Sequence, residues 1–152
     1  MATHGAVDAR KRAMHHPQVQ AWWREMDCGF TPVADVFEEC LYEALTAFSK
    51  REMDDYVAAA KTLSRLGRGP EPVLAFLEAW PSAAAAVGTA ALEDVMATAR
   101  TLQASPNGHA IAPLLQTLAP VARRLASREQ LAFYLDIARE LMARTTGSIH
   151  GG

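Results

Sequence analysis

The tetrad Ala60-Lys61-Thr62-Leu63 recurs as Ala99-Arg100-Thr101-Leu102 and again as Ala138-Arg139-Glu140-Leu141, each time 39 residues further along the chain. The same step aligns further apolar positions: Met53 with Leu92 and Leu131, Tyr56 with Val95 and Tyr134, and Val57 with Met96 and Leu135. Self-similarity at such a period is typical of helical repeat arrays, in which each unit buries its apolar face only by stacking on the next. The pattern therefore favours a surface that binds a partner over a catalytic pocket.

Each cycle predicts two helical limbs. Thr31-Pro32 is a helix-start pattern, and the apolar residues between 33 and 48 recur at helical spacing. Ser49-Lys50-Arg51-Glu52 is a capping-box pattern that predicts a second helix directly afterwards, and Gly88-Thr89 and Ser127-Arg128-Glu129-Gln130 occupy the equivalent places. No stretch shows the alternation of a strand. The predicted fold class is all-α: stacked helical hairpins that form a short α-solenoid-like array of period 39.

Two prolines recur at the same repeat position. Pro81 and Pro120 are separated by the repeat step, and each falls within the first limb of its hairpin. Proline inside a helix removes a backbone hydrogen bond and clashes with the preceding turn. We therefore expect a bend at both positions, with Pro81 dividing its limb into two short helices.

Length and local composition predict one domain with two flexible ends. The 152 residues match the size of a single domain. Residues 1–16 are polar, contain Arg10-Lys11-Arg12, and are expected to form a flexible basic arm. Residues 17–144 form the helical-repeat domain, and residues 145–152 are expected to form a flexible tail.

Composition and charge disfavour several classes of function. The net charge of -2 provides no general attraction for nucleic acid or acidic membranes, and the basic residues are not interleaved with aromatic ones. No segment approaches the roughly 20 apolar residues of a membrane span, and the first residues lack the order of a signal peptide. We expect a cytoplasmic protein in which Cys28 and Cys40 are reduced thiols.

The sequence contains no arrangement of residues that is typical of a catalytic site. Adjacent acids such as Glu38-Glu39 and Asp54-Asp55 point about 100° apart on a helix, so they do not converge on one atom. A phosphate-binding loop and a nucleophile elbow are both missing from the sequence. We therefore predict a protein that is not an enzyme and has no catalytic, cofactor-binding or metal-binding residues.

Five residues are the candidates for binding a partner. Trp22 and Trp23 are adjacent on a short helix, so both cannot face the same core; one is expected to cap the first hairpin. A tryptophan left exposed is a typical interaction anchor. Glu38, Glu39 and Glu43 form an acidic face that, with the two aspartates after the turn, predicts a rim for a basic partner.

The tail reads Arg144-Thr145-Thr146-Gly147-Ser148-Ile149-His150-Gly151. With the alanine-rich hairpins before it, it resembles the N-terminal helical region of the NorD/CbbO-type von Willebrand A-domain accessory proteins. The resemblance implies an adaptor that works with a MoxR-class AAA+ ATPase and couples its remodelling activity to a target such as rubisco or nitric oxide reductase. The Asp-x-Ser-x-Ser metal motif of that family does not occur here, so no metal-binding residue carries over.

Two hypotheses of different class follow. The first is a non-enzymatic helical scaffold or adaptor that binds another protein, either the ATPase or its target. The alternative is a small metal- or ligand-handling helical protein that uses His4, His15 and His16, together with Cys28. The spacing of these residues contains no recognised metal-binding motif, which favours the scaffold.

Overall fold

The computed structural model describes residues 12, 14–26, 31–66 and 69–151, and every secondary-structure element in this part of the chain is helical. The α-helices are α1 (Pro17–Glu25), α2 (Thr31–Ala47), α3 (Lys50–Ser64), α4 (Glu71–Val87), α5 (Leu92–Gln103), α6 (Ile111–Gln116), α7 (Leu118–Leu125) and α8 (Arg128–Gly151). Short 3-10 turns precede α5 and α6. The predicted all-α class is confirmed.

Local side-chain chemistry fixes the starts of α1 and α3. In α1, Pro17 occupies the first turn, and the Nδ1 atom of His16 accepts a hydrogen bond of 3.1 Å from the amide of Gln18. In α3, the hydroxyl of Ser49 accepts from the amide of Glu52 at 3.2 Å, while the Glu52 carboxylate accepts from the amide of Ser49 at 2.9 Å. This reciprocal pair is the predicted capping box.

The hairpins stack in two layers. The first limbs α2, α4 and α6–α7 pack side by side, while α3, α5 and α8 are the second limbs. Helix α4 is central, because it contacts α2, α3, α6 and α7. The second limbs begin at Lys50, Thr89 and Arg128, the middle one through a 3-10 turn, and these starts are separated by the repeat step.

Equivalent positions of the three cycles share the core. Ala44, Ala83 and Ala122 are each 0% exposed, which allows the first limbs to approach closely. Tyr56 lies at the centre of an aromatic cluster, with its ring centroid 5.4 Å from that of Phe48 and 5.6 Å from that of Phe76. The seam between the first limbs therefore excludes water, as stacking of the hairpins requires.

The prediction that Pro81 divides its limb is wrong. Helix α4 runs without interruption from Glu71 to Val87, and Pro81 lies inside it. In the third cycle the limb does break, at Thr117, between α6 and α7 and three residues before Pro120. The difference has a tertiary cause, since the hydroxyl of Tyr56 donates to the helical carbonyl that Pro81 leaves without a donor.

Helix α8 also departs from the predictions. Leu141 was expected in the buried stripe of the last limb, but its side chain is 56% exposed. The helix continues to Gly151, through the segment predicted to be a flexible tail. Extending an existing helix adds one hydrogen bond per residue without a new nucleus, which favours continuation through weak helix formers. Residues 1–11 of the predicted arm lie outside the described part.

Candidate functional surfaces

Trp22 is a core residue that ties α1 to α3. Its side chain is 6% exposed, and its indole N–H donates a 2.8 Å hydrogen bond to the Oδ1 atom of Asp54. Trp23 is partly buried against the core, and its indole nitrogen is enclosed without an acceptor among the described residues. The pair therefore caps the first hairpin, and Trp22 does not provide an exposed anchor.

The three glutamates of the predicted acidic face lie in two different environments. Glu38 lines a small cavity of about 270 Å³ beside Trp23 and Arg24. Glu39 and Glu43 instead lie near the thiol of Cys40. Residues 38 and 39 point about 100° apart around the helix axis, so adjacent acids of α2 meet different neighbours.

The thiol of Cys40 lies between α2 and α4 in an acidic environment. Its pKa is raised from 9.0 to about 11, first by burial and then by the negative charges of Glu78, Glu43 and Glu39. A thiol with this pKa stays protonated at neutral pH, so it is a poor nucleophile and a poor metal ligand. Glu78 belongs to this cluster although the sequence analysis did not select it, because it comes from the next hairpin.

A groove of about 960 Å³ separates α3 from α5; we call it the interhairpin groove. Its floor contains small residues such as Ala58 and Ala59. Side chains bridge both of its ends: the hydroxyl of Thr89 donates to Glu52 at 2.9 Å, and the amide of Gln103 donates to the carbonyl of Leu66. The adjacent second limbs α5 and α8 contact each other directly, so this gap distinguishes the first hairpin from the second.

Two of the charged residues that line the interhairpin groove, Arg128 and Glu52, make contacts with neighbouring elements. Arg128, at the start of α8, lies 3.6 Å from a carboxylate oxygen of Glu93 and 3.3 Å from one of Asp94. The pKa of Glu52 is lowered by its hydrogen bonds, first the one from the backbone of Ser49 and then the one from Thr89. A carboxylate already held by two donors is poorly suited to act as a general base.

The third surface is a row of large apolar side chains on α8, which we call the α8 stripe. Phe133 is 62% exposed, Ile137 is 42% exposed, and Leu141 continues the row four residues later. A spacing of four places these side chains on one face of the helix. The opposite face, with Leu131 and Leu135, is buried.

The α8 stripe differs from the equivalent positions of the preceding cycle. Thirty-nine residues before Phe133 the chain has Asp94, and the residue equivalent to Ile137 is Thr98. Here the last limb has large apolar residues instead. This difference is visible in the aligned sequence, at positions where the cycles disagree.

One edge of the α8 stripe is acidic. Glu129, Asp136 and Glu140 are exposed, and their spacing places them on the same side of Phe133 around the helix. Arg139 pairs with Asp136, which leaves a net negative edge. The stripe therefore combines an apolar centre with one negatively charged border.

The residues proposed for metal binding are only partly described. His4 and Cys28 lie outside the described residues, while the Nδ1 atom of His16 already accepts the α1 capping hydrogen bond. Within the described ranges, no three His, Cys, Asp or Glu side chains are grouped so that they could hold a metal ion. None of the helices over those ranges combines the length and apolar character that a membrane span requires.

No family model, curated protein or solved structure matches this chain.

Proposed function

We propose that this chain is a non-enzymatic helical scaffold that binds another protein, and that the α8 stripe is its docking surface. The observation that carries the proposal is the substitution of Phe133 and Ile137 for the polar residues found at the equivalent positions of the preceding cycle. Large apolar residues exposed in a row are characteristic of protein-interaction sites.

The energetics of the α8 stripe suit a specific but reversible contact. Fully burying one such side chain contributes about 1.5–3 kcal/mol relative to leaving it exposed. Phe133 and Ile137 together contribute at most about 3–6 kcal/mol, which is less than most estimates of the entropic cost of association, so a stable contact also needs the residues around them. The acidic edge favours a partner helix whose apolar face is bordered by basic residues.

The resemblance of the C-terminal segment suggests which partner to test first. An accessory protein of the NorD/CbbO type would dock on a MoxR-class AAA+ ATPase, or on the enzyme that the ATPase remodels. Rubisco and nitric oxide reductase are the targets that this resemblance suggests. A scaffold without chemistry of its own fits such a role, because the ATPase supplies the energy and the target supplies the reaction.

The proposal is tested by giving α8 the residues of the preceding cycle. In the double variant Phe133→Asp/Ile137→Thr the apolar centre is lost at exposed positions, so stability should change by less than about 1 kcal/mol. Affinity purification from the source cell, followed by mass spectrometry, should recover a partner with the wild-type chain and at least tenfold less of it with the variant. Binding of a purified MoxR-class ATPase is then measured directly for the wild-type chain and for the double variant.

Tyr42 provides a matched control, because it is another large side chain exposed at 43%, on α2. Tyr42→Asp should leave capture of the partner unchanged. Equal loss of binding with Tyr42→Asp, or full retention with the α8 double variant, would contradict the assignment. Sedimentation of the purified chain distinguishes a true partner from a second copy of the same protein.

A further inference from the structure

A groove of about 490 Å³ lies where α1 crosses the turn between α2 and α3, on a different part of the molecule from the α8 stripe; we call it the α1 groove. Its floor is apolar and is formed by three helices and the turn. The residues that form it are Val19 and Trp22 from α1, Leu45 from α2, Phe48 from the turn, and Met53 from α3.

The walls of the α1 groove are held by the core. Trp22 is fixed by its hydrogen bond to Asp54, Phe48 packs its ring against that of Tyr56, and Met53 is 1% exposed. Side chains held in this way do not need to be ordered when a ligand arrives, which lowers the entropic cost of binding. The volume falls within the range of about 300–1,000 Å³ that small-molecule sites occupy.

The rim of the α1 groove is polar and electropositive. It consists of His16, Gln18 and the exposed side chain of Lys50, and no described acidic residue lines the groove. The carboxylate of Asp54 accepts the indole N–H of Trp22 and does not itself line the groove. An apolar site whose only full charge is an ammonium group is complementary to an apolar ligand with one negative charge.

The N-terminus of α3 adds to this positive rim, whereas α1 contributes fewer free amides because Pro17 has no N–H and His16 accepts the amide of Gln18. Helix α1 begins at Pro17 and α3 begins at Lys50, and residues from the first turn of each helix line the same groove. Helix N-termini carry a partial positive charge and N–H groups without intrahelical acceptors. The capping box of α3 engages the amides of Ser49 and Glu52, so the amides of Lys50 and Arg51 keep this character.

We propose that the α1 groove binds a small amphiphilic carboxylate, with its aliphatic or aromatic body on the apolar floor and its carboxylate beside Lys50. The apolar floor gives affinity for the body of the ligand, and the positive rim sets its orientation and selects against cations. This site is independent of the proposed protein-docking function, because it shares no residue with the α8 stripe.

Three probes with the same ten-carbon chain test the charge requirement: decanoate, decanol and decyltrimethylammonium, each used below its aggregation concentration. Binding is measured by calorimetry and by amide chemical-shift mapping on the full chain. Decanoate should bind at least tenfold more tightly than decanol, and the cation should bind least. The largest shifts should belong to Val19, Leu45 and Met53, and to their neighbours along α1 and α3.

Substitutions in the α1 groove test its positive rim and its apolar floor separately. Lys50→Gln removes the charge from an exposed position and should weaken decanoate about tenfold, as expected for losing a charge-assisted contact, with little effect on decanol. Leu45→Trp fills the groove and should abolish binding of both. Lys61→Gln, at the other end of α3, is the matched control and should change neither.

Several outcomes would overturn the proposal. If decanol bound as tightly as decanoate, the positive rim would have no role in binding. If Lys50→Gln and Lys61→Gln weakened decanoate binding equally, the effect would come from the overall charge of the protein and not from the position of Lys50. Shifts centred outside α1 and the α2–α3 turn would place the ligand elsewhere. Binding of an acidic amphipathic peptide at these residues, with none of decanoate, would assign the groove to a partner protein instead. The Phe133→Asp/Ile137→Thr variant should bind decanoate normally, so the two proposals can fail separately.

Discussion

The hydroxyl of Tyr56 on α3 donates a 2.5 Å hydrogen bond to the carbonyl oxygen of Leu77 on α4. In a regular helix that carbonyl accepts from the amide of residue 81, but residue 81 is proline and has no N–H. Tyr56 and Leu77 are each 0% exposed, so water does not replace the missing donor. The hydrogen bond therefore lets α4 continue through Pro81 and joins the first hairpin to the second.

Removing this donor should destabilise the fold. Tyr56→Phe keeps the ring in the aromatic cluster but leaves the Leu77 carbonyl buried without a partner, which costs about 1–3 kcal/mol. The free energy of unfolding is measured by urea denaturation monitored by far-ultraviolet circular dichroism.

A double-mutant cycle identifies the cause of that loss. Pro81→Ala restores an N–H that can donate to Leu77, so the double variant Tyr56→Phe/Pro81→Ala should recover most of the stability lost by Tyr56→Phe alone. Strictly additive effects would show that the hydroxyl acts in some way other than by replacing the missing amide.

Stability should also decline at high pH because of Tyr56. Burial, and then the charges of Cys40, Glu43 and Glu78, raise the pKa of Tyr56 well above its ordinary value of 10.0. The unfolded chain therefore loses this proton first, so the stability contribution is complete below pH 10 and falls as the pH rises above it. In Tyr56→Phe the decline above pH 10 should be shallower, as followed by urea denaturation at several pH values. Parallel profiles for the two proteins would contradict the assignment.

The thiol of Cys40 should react slowly in the folded protein. Its pKa of about 11 means that only a small fraction is thiolate at pH 8. In a Cys28→Ser background, alkylation by iodoacetamide should be at least tenfold slower for folded than for urea-unfolded protein. The rate should still be rising between pH 9 and pH 11; a plateau near pH 9 would show an ordinary thiol.

The two serine caps of the second limbs should differ in their contribution to stability. Ser49 takes part in a complete capping box, whereas the hydroxyl of Ser127 accepts only a long contact of 3.4 Å from the amide of Gln130. Ser49→Ala should cost about 0.5–2 kcal/mol, at the upper end because Glu52 also reaches Thr89. Ser127→Ala should cost less in the same denaturation assay, and equal losses would contradict the difference in geometry.

Alanine substitutions at the two adjacent tryptophans should lower the melting temperature by different amounts. Trp22→Ala removes a buried side chain and should lower the free energy of unfolding by about 3–5 kcal/mol. Trp23→Ala removes a side chain that is only partly buried, so it should lower the free energy of unfolding clearly less. The sequence alone allowed either residue to be the exposed anchor. If Trp22→Ala melts like the wild type, its place in the core is wrong.

Sequence patterns predicted those features that depend on nearby residues. The capping box at Ser49 and the starts of the second limbs at Lys50 and Arg128 follow from contacts within a few positions, so the residue types alone indicate them. The helical period likewise predicted which face of each limb is apolar. Prediction of the candidate surfaces was weaker, because a pattern shows that a face is apolar without showing whether another helix covers it.

Leu141 illustrates that limit. It aligns with Leu63 and Leu102, which are 0% and 1% exposed, yet in the last cycle the same position faces outward. Pro81 illustrates it for the backbone, because the donor that replaces its missing N–H is Tyr56, which lies 21 positions before the accepting residue Leu77. In the next cycle Val95 replaces this tyrosine and has no hydroxyl, and the limb that contains Pro120 is broken.

The order of residues predicts an all-helical array of similar hairpins, because helical periodicity, caps and a repeat step can be recognised along a single chain. Only the tertiary structure decided which apolar residues remain in contact with water, where acids from different hairpins gather around Cys40, and that α1 and α3 direct their N-termini to one groove. The physical reason is that burial and electrostatic environment belong to pairs of elements that meet in space, whereas periodicity belongs to one element at a time.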